Sequence, residues 1–194
     1  GIAGVSAQHD VRAASRLVRA EGEGANARGM RPDAMFVSGE SAGGVRAMLA
    51  ATLDPDDPMS RQALADFLAA NGGVYGTVGE NDDVSSVVQG AMPLSGAVLD
   101  LATVDVGSAL LYAAHEEFDP VVPCDTAQEG ASFTGLEVSG ACDVVPAYAA
   151  AGALAELFLV EGSVGHVEFT EGQRRDIYQG ATELFFETVI SPTE

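Results

Sequence analysis

The stretch Phe36–Ala50, FVSGESAGGVRAMLA, decides how the rest of the chain is read. The apolar run Ala34–Val37, AMFV, reads as a short buried strand, and Ala42–Thr52 reads as a helix. Between them Gly39 and Gly43 bracket Ser41 in a Gly-x-Ser-x-Gly turn. A turn this sharp puts the serine in strained backbone angles, and side chains two positions to either side would collide. Glycines at those places lift the hydroxyl clear of the sheet. The helix behind aims its first amides at the same point, which favours developing negative charge. Ser41 is therefore the candidate nucleophile.

Working outward, Gln8–Glu21 places Val11, Ala14, Leu17 and Val18 at helical spacing with Arg12, Arg16 and Arg19 between them. That pattern predicts an amphipathic helix with the apolar residues inward. The breaker DPDDP, Asp54–Pro58, ends the helix after Ser41, and Arg61–Ala70 is a further predicted helix. Ser86–Leu94, Ser108–Ala114 and Ala155–Val160 read as strands, with an irregular segment over Glu116–Gly140. Predicted helices follow over Val144–Ala153 and Gly172–Ile190. Strands alternating with helices imply an α/β fold with a mostly parallel sheet flanked by helices, in one domain over residues 1–194.

Composition narrows the function classes. Twenty-nine acidic residues face nine basic ones, all arginine, for a net charge of −20. Such a charge repels phosphate backbones and anionic membranes, so no nucleic-acid partner is expected. No run approaches the ~18 apolar residues of a membrane span. Two cysteines cannot hold zinc alone, and Cys124 and Cys142 form no CxxC. They are either one disulfide or two buried thiols. The loose Gly/Ser/Asp-rich stretch around them favours the disulfide, and with it an extracellular or periplasmic location. No metal or organic cofactor is implied.

A serine hydroxyl needs a base. Of three histidines, His9 starts the first helix and is expected to be solvated or capping, while His115 ends a strand as a hydrogen-bonded residue. His166 lies in LVEGSVGHVEF, where Gly162 and Gly165 allow a loop over the sheet edge, so it is the candidate base. The orienting carboxylate is expected in HEEFDPVVP, where Asp119 stands before Pro120, with Glu116, Glu117 and Asp125 as alternatives. The order Ser41, Asp119, His166 is that of the α/β-hydrolase fold.

Several segments together carry a family resemblance. DVRAASRLVRA with MRPDAMFVSGESAGG, then VVQGAMPLSGAV, HEEFDPVVPCDT and ELFLVEGSVGH, resemble successive parts of carboxylesterases and polyhydroxybutyrate-depolymerase-like esterases of the α/β-hydrolase superfamily. Their acid loop usually has glycine after the histidine, where this chain has Glu116. The resemblance implies Ser41, Asp119 and His166 as the triad. It also implies Ala42 N–H as an oxyanion donor, with Glu40 on the oxyanion and substrate-binding side. The implied reaction is hydrolysis of a small-molecule or polymeric carboxylic ester through an acyl-enzyme. The alternatives are a prolyl-oligopeptidase-like serine peptidase and a non-catalytic hydrolase-like binding domain.

Such esterases take a second oxyanion donor from a glycine-rich loop ahead of the nucleophile strand, and their sheet has about eight strands. This chain offers one helix there and four predicted strands. The N-terminal strands are thus expected to be missing from this chain, which begins GIAGVSAQHD without Met. An N-terminal segment or another chain would complete the sheet and the oxyanion hole, since proteins avoid a bare sheet edge. Pocket walls are expected from Asn71–Asp83 and Cys124–Gly140.

Overall fold

The computed structural model describes residues 2–57, 62–77, 79, 81–129 and 136–191. Four strands lie side by side: β1 (Phe36–Glu40), β2 (Gly90–Leu94), β4 (Leu110–Glu116) and β7 (Ala155–Val160), in the order β1-β2-β4-β7. Every pairing is parallel, with Glu40 opposite Leu94, Leu94 opposite Ala114 and Glu116 opposite Val160. The carboxyl ends of β1, β4 and β7 therefore share one edge of the sheet.

Alternation along the strands divides the core. Ala91, Leu111 and Ala113 face α2 (Ala42–Thr52) and α4 (Ala141–Ala151), meeting Met48, Ala51, Val144 and Tyr148. Met92, Leu94, Tyr112 and Ala114 face α5 (Glu171–Phe185), meeting Ile177, Ala181 and Leu184. Phe36 of β1 stacks on Phe185, with ring centroids 4.5 Å apart. Each fully buried aliphatic or aromatic side chain contributes about 1.5–3 kcal/mol, so both layers are needed to hold the sheet. A π-helical turn, Phe186–Ile190, completes the expected C-terminal helix.

The irregular segment is more ordered than its sequence suggests. β3 (Ala97–Val98), β6 (Glu137–Gly140) and β5 (Thr126–Gln128) form a small antiparallel sheet in the order β3-β6-β5. Cys124 and Cys142 are joined, with Cα atoms 5.1 Å apart, and the Cys142 N–H donates to the Cys124 carbonyl. The bond ties the start of α4 to the chain that follows β4. Residues 130–135 of the segment lie outside the described residues.

The first helix corrects the sequence reading. α1 (Ile2–Glu23) turns Leu17 and Val18 outward, 61% and 43% exposed. Gln8, His9, Arg12, Ser15, Arg16 and Arg19 are buried instead. The guanidinium of Arg12 donates to the carbonyls of Leu53 and Ser86, that of Arg16 to Tyr75, and that of Arg19 to Pro32, Ser85 and Val87. His9 Nε2 bonds the Gly73 carbonyl at 2.9 Å, so this histidine is neither solvated nor a cap. The chain between α3 (Gln62–Ala70) and β2 has little regular structure, and its buried carbonyls need donors from elsewhere. Arginine supplies several from one side chain.

The same bonding explains why β2 is shorter than Ser86–Leu94. The carbonyls of Ser85, Ser86 and Val87 are taken by α1, and strand pairing starts only at Gly90. β1 in turn begins two residues later than predicted and runs on to Glu40, because its register follows β2 to Leu94. Helix α3 starts at Gln62, Arg61 lying outside the described residues. Among the described residues no helix is long and apolar enough to cross a membrane.

Candidate active site

Ser41 follows the last residue of β1 and precedes the first of α2, with φ 53° and ψ −120°. This strained conformation is held by its own N–H, which donates to the Leu94 carbonyl at the end of β2. The glycine requirement differs from the sequence expectation. A Cβ on Gly39 would lie 2.4 Å from the Gly43 backbone, and one on Gly44 would lie 2.6 Å from the Leu94 carbonyl oxygen. A Cβ on Gly43 would meet nothing within 4 Å. Gly39 and Gly44, rather than Gly39 and Gly43, let strand, turn and helix approach one another.

The Ser41 hydroxyl donates to His166 Nε2 at 2.7 Å. His166 Nδ1–H donates to Asp119 Oδ2, also at 2.7 Å. With the carboxylate as acceptor, Nδ1 carries the proton and Nε2 is left to accept from the hydroxyl. Asp119 Oδ1 accepts the N–H groups of Val121 and Val122, so the carboxylate keeps one oxygen for its own loop and one for the histidine. The Asp119 side chain is fully buried and that of His166 is 21% exposed. Three side chains far apart in sequence meet because their parallel strands end at one edge. The first turn of α2 adds backbone N–H groups that have no intrahelical acceptor, Ala42's among them.

Two alternatives for the acid, Glu116 and Glu117, have other partners. Glu116 Oε2 accepts from Ser95 Oγ and its Oε1 from the Glu168 N–H, while Glu117 Oε2 accepts from the Gly162 N–H. Both glutamates thus hold the histidine loop rather than the imidazole. His115 is buried, and its Nε2–H donates to the Val122 carbonyl, as expected of a strand-end residue. Burial pushes its pKa down, so it stays neutral below Asp119, whose Oδ2 lies 3.8 Å away.

Glu40 has its carboxylate on Arg174 of α5, an ion pair that raises the guanidinium pKa. Glu40, expected on the oxyanion and substrate-binding side, is thus paired with a cation. Arg174 is absent from the sequence reading, yet a signal existed. A cation in the first turn of a helix opposes the helix dipole, which points to some other use. The expected pocket wall Asn71–Asp83 also has a different placement. It is engaged by α1 and borders a cleft of about 350 Å³ lined by Arg16, Tyr75, Asp82 and Asp83, with none of Ser41, Asp119 and His166 in the lining.

No protein-family model and no curated protein sequence matches the chain. Solved structures do. A truncated carbohydrate esterase from gut microbiota superposes with a TM-score of 0.67 at 18% identity, over 95% of this chain and 68% of that one. Esterase 2 of the planctomycete Thermogutta terrifontis, with propionate bound, gives 0.65 at 18% identity over 96% of this chain and 67% of its own. The same enzyme phosphoramylated by tabun gives 0.67 at 16% identity, over 98% and 67%. The fold is that of the α/β hydrolases, and the chain spans about two thirds of the length of these esterases.

Proposed function

We propose that this protein is a serine hydrolase of carboxylic esters. The observation that carries the reading is the unbroken Ser41–His166–Asp119 hydrogen-bond chain at the mouth of α2. Ser41 Oγ attacks the ester carbonyl carbon while its proton passes to His166 Nε2. Asp119 holds the ring orientation and stabilises the imidazolium. The oxyanion is met by the Ala42 N–H at the positive end of α2. His166 then protonates the departing alkoxide, leaving an acyl-Ser41. Water, deprotonated by the same imidazole, attacks the acyl carbon and returns the serine.

β1 stands at one edge of the four-stranded sheet. A further segment or chain pairing there would complete the sheet and bring the second oxyanion donor. Removing one such donor typically costs about 100–1,000-fold in turnover. Short acyl esters are the first substrates to try, given the propionate-bound esterase neighbour. The disulfide supports a location in an oxidising compartment, extracellular or periplasmic.

The test is turnover of p-nitrophenyl acetate and butyrate, with fluorophosphonate labelling of Ser41. Ser41→Ala and His166→Ala are expected to lower kcat by at least about a thousand-fold. Undiminished turnover in Ser41→Ala overturns the assignment. Faster cleavage of the matching anilide than of the ester would make the protein a peptidase. Failure of the probe to label Ser41 would mark a non-catalytic domain.

A further inference from the structure

One peptide unit beside the site is held by charge at both ends. Val167, directly after His166, has φ +60°, a left-handed conformation that a β-branched residue adopts only under constraint. Its carbonyl accepts from Arg174 Nη2 at 3.2 Å. The N–H of the same peptide, on Glu168, donates to Glu116 Oε1 at 2.7 Å. Glu116 is buried, and its other oxygen is fixed by Ser95 Oγ at 2.6 Å. Arg174 is fixed in turn by Glu40, the residue before Ser41, and lies over the Phe169 ring. A capping box between Thr170 and Gln173 starts α5 immediately after this loop and holds the arginine in reach.

We propose that Glu116 and Arg174 are positioning residues, a clamp on the Val167–Glu168 peptide that keeps the His166 imidazole over Ser41. The proposal rests on reading Ser41 and His166 as nucleophile and base. Because the peptide is planar and trans, holding its C=O and N–H fixes the whole plane. Val167 must then absorb the change of direction between that plane and His166, and its positive φ is the result. Released from either end, Val167 relaxes to an ordinary negative φ and carries the imidazole off the serine. Proton transfer between them depends steeply on that placement. Neither positioning residue touches the reacting atoms, so its loss lowers kcat and leaves substrate binding alone.

The experiment compares steady-state p-nitrophenyl acetate kinetics and thermal unfolding in the full chain and its variants. Arg174→Met and Glu116→Ala are expected to lower kcat by about 10–100-fold with KM within about two-fold. Arg174→Lys recovers only part, because one ammonium on a flexible stem does not reproduce a fork that reaches Glu40 and Val167 together. Val167→Gly is the discriminating variant, since glycine adopts φ +60° without strain. Introduced into Arg174→Met, it is expected to restore kcat by about three-fold or more, beyond its effect in the wild type. A kcat for Arg174→Met within about two-fold of wild type, with Ser41→Ala inactive, overturns the clamp alone. So does a loss that tracks the fall in Tm and is not relieved by Val167→Gly. Should Glu116→Ala fail to fold, Arg174→Met and its glycine double variant decide. Turnover surviving in Ser41→Ala instead removes the reading of the site itself.

Discussion

Adjacent glycines with the same helical backbone have unequal roles beside Ser41. Gly44→Ala would force a Cβ against the Leu94 carbonyl oxygen, and overpacking of that kind costs about 1–3 kcal/mol. Gly43→Ala meets open space inside α2 and gains helix propensity of up to about 1 kcal/mol. Thermal unfolding of the two variants should therefore move in opposite directions, Gly44→Ala downward and Gly43→Ala level or upward. His115 offers a second check. Burial lowers its folded pKa below the ordinary 6.5, so between those values the unfolded chain binds the extra proton. Its contribution is intact at neutral pH and is lost as pH falls below about 6.5 toward the folded value. His115→Gln, which keeps an N–H for Val122, should flatten Tm against pH across that window. The hydroxyl–imidazole–carboxylate order was legible because each residue type has a chemical reason for its place. The use of Glu116 was not, since in a chain this acidic a glutamate carries no mark of being buried.

At the scale of elements, α1 shows where periodicity misleads. Apolar and arginine positions alternate around this helix, and pattern alone assigns the apolar stripe to the core. Leu17 and Val18 face outward because the neighbouring loops present carbonyls rather than apolar surface. Arg12→Met strands two buried carbonyls at about 1–3 kcal/mol each, while Leu17→Gln changes stability by no more than about 0.5 kcal/mol. Urea denaturation of both variants checks this inversion directly. The disulfide belongs to the same scale. It closes a separation of 18 residues, for which chain entropy predicts about 3 kcal/mol. In a chain of this size each kcal/mol moves Tm by roughly 2–4 °C, so Cys124→Ala with Cys142→Ala should unfold about 6–12 °C lower. The helices α2 and α5 and the strand β7 were legible from sequence. The sheet β3-β6-β5 was not, because its strands are two to four residues long.

Over the whole molecule the net charge of −20 is carried by the surface. Arg12, Arg16 and Arg19 are buried, but so are Glu116, Asp119 and Glu129, so burial leaves the acidic excess on the outside. Self-repulsion there opposes folding and is screened by salt. Tm should rise as sodium chloride goes from about 0.05 to 0.5 M, where the Debye length falls from roughly 14 to 4 Å. A flat or falling Tm would show that paired charges dominate instead.

The sequence by itself determined the alternation of strand and helix and the serine turn, and pointed to His166 and Asp119 as the imidazole and carboxylate beside it. Those features are local, or depend on parallel strands ending at one edge. Only the tertiary structure decided which face of α1 is buried, which glycines the turn requires and what Glu116, Glu40 and Arg174 hold. Each of those outcomes depends on which backbone carbonyl, N–H or charge from a distant segment arrives alongside, and no spacing within one element encodes that.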